Sequence, residues 1–315
     1  MSVLAFRPPG RGTAACFPLL AAGIVACTAR EAPLADRLQD DLGHIVALEP
    51  PARRIVSLSP STTELLFAIG AGSSVVGRTR WCDFPPEALA VPSVGDGLGP
   101  NLELVLSRTP DLVIFYASAA NQAAIARLDD LGIASASVRL DRLDDVPLAA
   151  RMLGRLTGTG PRADSLAAQF AERLDSARAA RRGGVGSRSL DRVRGVAVVA
   201  WDNPPMVIGA GSFLTELVEL AGARNVFDDV ALASAQTGIE AIAARDPDVL
   251  LILGDGLPAF AQRPEWQTVG AVRRRDLVAV QGSEFERPTF RSFEAVLTLR
   301  EALRRSEARA RGRAQ

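Results

Sequence analysis

From residue 53 to residue 140 the chain alternates between short apolar runs and longer amphipathic segments. The apolar runs are rich in Val, Ile and Leu, as the buried strands of parallel sheets are. The amphipathic segments place apolar residues three and four positions apart, which predicts helices. This alternation favours a parallel sheet covered by helices. In order, the predicted strands and helices include RRIVSLS, STTELLFAIGAG, VVGR, NLELVLSRT, DLVIFY, NQAAIARLDDLG and ASASVRL.

The pattern changes after residue 140, where strand signals are absent and apolar residues recur only at helical spacing. A break is predicted at Gly160-Pro161, because proline interrupts a helix. Later in the chain, strands and helices alternate again, from VRGVAVVAW onward. The sequence therefore predicts a first lobe over residues 53–140, a helical connector over residues 141–183 and a second lobe over residues 184–315.

A repeat relates the two predicted lobes. Glu103 precedes a Pro-Asp pair and an apolar strand, and Glu240 precedes the same pair and strand at the same interval. Each lobe also has a Thr-Glu-Leu triplet at the start of a helix, at residues 63–65 and 215–217. The predicted fold is therefore α/β, with two Rossmann-like lobes and mostly parallel sheets joined by a rigid helical connector. A single eight-fold barrel is disfavoured, because the helical middle contributes no strands.

Residues 1–27 have the features of an export signal. Basic residues precede an uncharged stretch that is too short to span a bilayer. The stretch ends in IVAC, which resembles a bacterial lipobox, where Cys27 would be lipidated and become the new N terminus. An ordinary signal peptide with an incidental cysteine is the alternative. Residues 28–52 follow as a polar tether with a short predicted strand, HIVAL, so we expect a lipid-anchored, periplasmic or extracytoplasmic protein.

Composition and motifs exclude several classes of function. Of the 315 residues 48% are hydrophobic, and 36 acidic residues balance 36 basic ones, so no large basic field favours nucleic acid. One histidine, His44, leaves no zinc ligand set and no Ser-His-Asp triad. Without lysine there is no GxxxxGK[ST] phosphate loop. We expect no catalytic residue, resident metal or cofactor; an α/β enzyme with this fold is the alternative class.

Four segments, taken in order, resemble the substrate-binding proteins of ABC importers whose two lobes are joined by a rigid helix, known as class III. Members carry vitamin B12, iron siderophores or haem, and the likeness is greatest to the vitamin B12 binders. It covers nearly all of residues 53–305. The resemblance implies a monomer that captures cobalamin or another corrinoid between its lobes and delivers it to an ABC permease. The segments are RIVSLSPSTTELLFAIGAG, VVG followed by CDFPPEA, NLELVLSRTPDLVI and GSFLTELVELAGARNVF.

The resemblance also implies which residues face the ligand. Trp81 in WCDFPP, Tyr116 after DLVIF and Met206 in WDNPPMVIG fall at ligand-facing positions. Arg287 in FERPTFR resembles a polar contact to the ligand. The alternative role is packing for the first three residues and a solvent-exposed ion pair with a neighbouring glutamate for Arg287.

The loop WCDFPP also contains a thiol and a carboxylate. Cys82 has no base nearby in sequence that would activate it, so we expect it to pack within the loop, with contact to a metal as the alternative. Asp83 is expected to cap the turn before the two prolines. Pro85 and Pro86 stiffen the loop and so lower the entropy lost when a ligand is held.

Glu103 and Glu240 each lie at the start of a predicted short helix. In the family resembled, acidic residues at these positions dock onto arginines of the permease, one from each lobe. The alternative is that each carboxylate only complements the positive end of its helix dipole. Their symmetric placement by the repeat favours docking at two points.

Two segments depart from the vitamin B12-binding pattern. GDGLGP and ALASAQ lack aromatic residues that the pattern places there, which reduces the predicted stacking surface. A haem or ferric-siderophore carrier is therefore the alternative within the family, with Tyr116 as an iron ligand in the haem case. A sensor that signals to a membrane receptor is a further alternative and would use the same crevice.

Overall fold

The computed structural model describes residues 38–46, 48, 51–96, 99–182, 195–254 and 259–314. The first lobe contains four strands and three α-helices in alternation. Its elements are β1 (Ile55–Ser57), α1 (Pro60–Ala68), β2 (Val75–Arg78), α2 (Leu102–Leu106), β3 (Leu112–Tyr116), α3 (Gln122–Asp130) and β4 (Ala134–Val138).

The sheet of the first lobe has the order β2-β1-β3-β4, and every pairing in it is parallel. Strand β3 shows why: its first four residues are buried and apolar, and only Tyr116 at its carboxyl end is exposed. Such a strand must be covered on both faces, which parallel sheets with helical crossovers provide. Upstream of this sheet, Ile45 of the predicted HIVAL strand forms only an isolated antiparallel bridge with Gln39.

Two helices form the connector: α4 (Asp145–Thr157) and α5 (Gly160–Arg182). The break between them falls two residues before the predicted Gly160-Pro161, because Gly158 ends α4 in the left-handed conformation with φ 71°. Pro161 lies in the first turn of α5, where its missing N–H is tolerated. Near its start α5 contacts the first lobe, where Arg162 donates to the carbonyl of Ala68 at 2.7 Å.

The second lobe is built on a mixed sheet of order β10-β9-β5-β6-β8, with β7 also paired to β5. The pairings among β5, β7, β9 and β10 are parallel, whereas β6 is antiparallel to both β5 and β8. The elements are β5 (Gly195–Asp202), β6 (Pro205–Ile208), α6 (Phe213–Leu220), β7 (Arg224–Asn225), β8 (Ser234–Gln236), α7 (Ile239–Ala244), β9 (Val249–Leu253), α8 (Gly270–Arg273), β10 (Leu277–Val280) and α9 (Ser292–Ala314).

The structure reproduces the sequence repeat in detail. In the first lobe the carboxylate of Asp111 accepts the backbone N–H groups of Arg53 and Arg54 at 2.8 and 2.9 Å. In the second, the carboxylate of Asp248 accepts the N–H of Gly195 at 2.8 Å. Each Pro-Asp pair thus ties the start of its strand to the start of the neighbouring strand. The predicted architecture of two like-built α/β lobes with a helical connector is confirmed.

One apolar cluster extends through both lobes and the connector. It includes Leu65 of α1, Leu153 of α4, Phe170 of α5, Leu217 of α6 and Leu299 of α9, all buried. The ring of Phe170 meets the rings of Phe290 and Phe293 edge-on, with centroids 5.8 and 5.2 Å apart. A shared core of this kind makes relative movement of the lobes costly, because movement would open cavities in close-packed side chains.

We predict that Phe170→Ala destabilises the protein by about 3–5 kcal/mol, the usual cost of truncating a buried aromatic residue. Chemical denaturation measures the change in the free energy of unfolding. Leu148→Ala on α4 is the control, since Leu148 is exposed, and it should change that free energy by less than about 0.5 kcal/mol. Equal effects of the two substitutions would contradict the role assigned to the shared core.

Candidate ligand-binding crevice

Loops beyond the carboxyl ends of strands from the two sheets contact each other, where the ligand-binding crevice is expected. Arg287, beyond the end of β10, donates to the carbonyl of Trp81, beyond the end of β2, at 3.0 Å. Phe213 at the start of α6 donates its N–H to the carbonyl of Asp141, beyond the end of β4, at 3.0 Å. Open α/β sheets bind ligands outside the carboxyl ends of their strands. The contacts between the lobes therefore place the expected ligand-binding edges opposite each other.

The loop after β2, residues 79–85, is termed the crevice loop. Cys82 is fully buried in it, with its sulfur 3.1 Å from the hydroxyl of Thr63 and 3.2 Å from that of Thr79. Trp81 is 56% exposed beside this buried thiol, and the guanidinium of Arg80 lies 4.8 Å from the centre of its ring. The loop thus uses its thiol for packing and leaves its indole open to solvent.

Tyr116 ends β3 and is 38% exposed. Its hydroxyl donates to the carboxylate of Asp141 at 2.6 Å. Partial burial, reinforced by this hydrogen bond to a carboxylate, raises the pKa of Tyr116 to about 12. At neutral pH the phenol is therefore protonated and oriented by Asp141.

A second exposed indole, Trp201, lies near the carboxyl end of β5 and was not among the residues predicted from the sequence. It is 61% exposed and pairs directly with Met206 of β6, which is half-buried. Opposed residues of an antiparallel pair extend from the same face of the sheet, so the two side chains are neighbours. An aromatic residue near the carboxyl end of an apolar strand is the sequence signal that could have found Trp201.

Arg287 is placed differently from the other three predicted residues. It is only 5% exposed, and its guanidinium is bound to the carbonyl of Trp81 and forms an ion pair with Asp83. Asp83, which was expected to cap a turn, instead reaches the second lobe through this pair. In the structure both side chains hold the crevice loop, and the expected contact of Arg287 with the ligand stays a prediction.

The model of the periplasmic binding protein family matches residues 55–282. The chain belongs to the periplasmic binding protein family. A vitamin B12-binding protein of Vibrio cholerae is 26% identical over 78% of this chain and 87% of its own length. An uncharacterised ABC transporter substrate-binding lipoprotein of Bacillus subtilis is 29% identical over 84% of each chain. The apo structure of a periplasmic haem-binding protein from Roseiflexus has a TM-score of 0.70 and 25% identity, covering 81% of this chain and 99% of that one.

Glu103 and Glu240 occupy matching places on the two lobes of this periplasmic binding protein. Each is exposed and lies in the first turn of its short helix, α2 or α7. The carboxamide oxygen of Asn101 accepts the N–H groups of Glu103 and Leu104 at 3.0 and 3.2 Å, which fixes the start of α2. Gly238 takes the corresponding position before α7. The two carboxylates are therefore available to solvent at equivalent positions.

The described residues also bear on metal binding and on membrane association. No group of three or more His, Cys, Asp or Glu side chains among the described residues could hold a metal ion. Within the same ranges, no helix has the length and apolarity that a membrane span needs. Cys27, the predicted lipidation site, lies outside the described residues.

Tyr116 is the only tyrosine of the chain, so its titration can be followed directly. We predict that tyrosinate absorbance in the wild type rises with a pKa of about 12, and that Asp141→Asn lowers this pKa because the hydrogen bond to a negative acceptor is lost. Asp130→Asn, at an exposed position on α3, should leave the titration unchanged. A wild-type pKa near the ordinary value of about 10, or no change in Asp141→Asn, would contradict the geometry. Circular dichroism at each pH verifies that the chain remains folded.

Proposed function

We propose that this protein is the substrate-binding component of an ABC importer and that it captures cobalamin or a related corrinoid between its lobes. It then presents the ligand to the membrane permease from the extracytoplasmic side. Membership of the periplasmic binding protein family supports the binding role. The similarity to vitamin B12-binding proteins, among them that of Vibrio cholerae, supports the corrinoid.

The observation that carries this proposal is the set of exposed aromatic side chains at the ligand-binding edges of both sheets. Trp81 and Tyr116 come from the first lobe and Trp201 from the second. Ligand sites are lined largely by hydrophobic and aromatic side chains, and these three rings are exposed instead of packed in the core. Indole and phenol rings suit a large, flat and partly polar chelate, because they offer stacking area and one polar group each. Met206, beside Trp201, adds an adaptable apolar surface.

The state of Tyr116 supports ring packing over iron ligation. A tyrosine binds ferric iron as phenolate, yet this phenol has a raised pKa and donates to Asp141. Iron binding would have to remove the proton and break that hydrogen bond. Haem nevertheless remains the second candidate ligand, because Tyr116 is partly exposed and a haem-binding protein has a similar fold. An anionic ferric siderophore is the third, since Arg80 and Arg139 are exposed near the same sheet edge.

The proposal includes two links to the membrane. Lipidation of Cys27 would anchor the protein, and the lipoprotein from Bacillus subtilis supports this assignment. Glu103 and Glu240 would dock the two lobes onto basic residues of the permease, each lobe at one point. Each exposed charge contributes little binding free energy separately. Together the two charges would fix the orientation of the protein on the permease and speed their association.

Ligand choice is tested by calorimetric titration of the full chain in detergent with cyanocobalamin, haemin and a ferric siderophore. We expect saturable one-to-one binding of cyanocobalamin, weakened roughly tenfold or more by Trp81→Ala, because an aromatic contact in a binding site contributes about 1–3 kcal/mol. Leu297→Ala is the control: Leu297 on α9 is 61% exposed but is not part of the crevice surface, so binding should not change.

Other outcomes of this titration decide between the candidates. Binding of haemin alone, lost in Tyr116→Phe, would replace the corrinoid by haem. Binding of the siderophore alone would favour the anionic chelate. If none of the three ligands bound, the proposal of a metal-chelate carrier would be wrong.

Docking is tested with the cognate ABC permease reconstituted in liposomes. We predict that Glu103→Gln and Glu240→Gln each slow association with the permease, and that together they slow it roughly tenfold at low salt, with a smaller effect at high salt. Ligand affinity should not change. Glu172→Gln, which removes an exposed carboxylate from α5, serves as the control. Association as fast in the double variant as in the control would exclude docking through these residues.

A further inference from the structure

Two arginines of the second lobe reach across the crevice and contact the crevice loop of the first lobe. Arg287 donates to the carbonyl of Trp81 at 3.0 Å and pairs with Asp83. Arg291, immediately before α9, lies 3.6 Å from the centre of the Phe84 ring. The loop that carries the exposed indole is therefore held by side chains that are distant in sequence and belong to the opposite lobe.

Both arginines also approach one buried carboxylate beneath the loop. Glu64 of α1 accepts the Nε and Nη2 groups of Arg291 at 2.8 Å each, in a bidentate pair. The Nε of Arg287 is 3.8 Å from the same carboxylate. Ser283 and Glu284, from the second lobe, complete the surroundings of Arg291 at 2.8 and 3.3 Å. Loop, carboxylate and arginines thus form one connected network across the two lobes.

Because the network is buried, each of its charges depends on its partner in the other lobe. The side chains of Glu64 and Arg287 are 5% and 6% exposed, and a buried charge without its partner is strongly destabilising. Burial by itself lowers the pKa of Arg291, but the hydrogen bonds and charge of Glu64, with Glu284 nearby, outweigh it and leave the pKa above its ordinary value. Arg291 thus remains charged, and both arginines have their main partners in the first lobe.

We propose that Arg287 and Arg291 are positioning residues of the crevice, which fix the crevice loop from the second lobe and so set the orientation of the Trp81 ring before ligand arrives. Neither residue needs to touch the ligand in this role. Its consequence for ligand affinity rests on the function proposed above, whereas the positioning itself is a property of the ligand-free protein. A preformed site lowers the ordering cost of binding, which is how such residues raise affinity.

The sequence repeat supplies an internal comparison. Glu216 is the counterpart of Glu64 in the second lobe, and it is also buried. It accepts the N–H of Leu143 at 2.8 Å and an Nη group of Arg178 from the connector at 2.9 Å. None of these residues contacts the crevice loop, so substituting Arg178 disturbs the other buried charge cluster without releasing Trp81.

The test follows the motion of Trp81 in the full, ligand-free chain. Trp201→Phe removes the other exposed indole, and Trp266 is fully buried, so quenching by acrylamide then reports on Trp81. In this background we expect Arg287→Gln and Arg291→Gln to raise the quenching slope and to lower the fluorescence anisotropy. Arg287→Lys, which keeps the charge but can retain fewer contacts, should give a smaller change in the same direction and serves if Arg287→Gln does not fold.

Two control substitutions separate positioning from a general loss of stability. Arg245→Gln is closely matched, because Arg245 bonds to the carbonyl of Val226, pairs with Asp229 and lies 4.3 Å from the Phe227 ring, all within the second lobe. Arg178→Gln breaks the charge cluster at Glu216. Neither control should change the quenching slope or the fluorescence anisotropy of Trp81. The proposal would be overturned if Arg287→Gln left the quenching and anisotropy of Trp81 unchanged. It would also be overturned if either control changed them as much as Arg287→Gln does.

Ligand affinity gives the second readout, in the background that keeps Trp201. Asp83→Asn and Arg287→Gln should each weaken the binding of cyanocobalamin. Because the two residues act through one contact, the double variant should bind about fivefold more tightly than the sum of the two single effects predicts. Additive effects would contradict positioning through this pair. If the wild type bound none of the chelates, the proposed function would fail, but the ligand-free quenching measurement would still decide whether the arginines position Trp81.

Discussion

The structure depends on the docking of two lobes through a shared apolar core, spanned by the connector helix α5. Phe170 packs against the ring of Phe290, just before α9, and that of Phe293, in its first turn, and its cluster continues into α1 and α6. Because this core is common to both lobes, the carboxyl edges of the two sheets are held at a set separation. The proposed binding of a ligand between the lobes would therefore not have to supply the free energy of a wide hinge closure.

Buried ion pairs also hold the lobes in their observed arrangement. Each lobe buries one glutamate of the repeated Thr-Glu-Leu triplet, and each glutamate is paired with arginine from outside its own lobe. Buried ion pairs give little net stability but penalise any arrangement that separates them. At Glu64 this penalty also applies to the crevice loop, since the same arginines contact Asp83 and Phe84. A stretch of sequence that suggested metal, thiol or ligand chemistry is thus, in the structure, a buried thiol and an exposed indole on a loop held by arginines of the other lobe.

Local pattern was enough to predict most of the fold. The buried runs of β1, β3, β5 and β9 are apolar along most of their length, and the Pro-Asp pairs that begin two of them form equivalent hydrogen bonds. The short strands β6, β7 and β8 were missed, because two to four residues show no clear periodicity and β8 is largely exposed. Trp81 and Tyr116 were identified through the family resemblance, whereas Trp201 was missed although it is an aromatic residue near the end of a largely apolar strand. The contact of Arg287 with the crevice loop could not be predicted from local sequence pattern, because its partner Asp83 is 204 positions away.

The central claim is that a metal chelate binds between the lobes, against aromatic side chains of both. Hydrogen–deuterium exchange with and without cyanocobalamin tests it most directly, since exchange reports local protection along the whole backbone. We expect slower exchange in the crevice loop, after β3 at residues 117–121 and in the β5–β6 hairpin, with little change on the exposed face of α9. Protection confined to one lobe, or located away from the carboxyl ends of the strands, would contradict it.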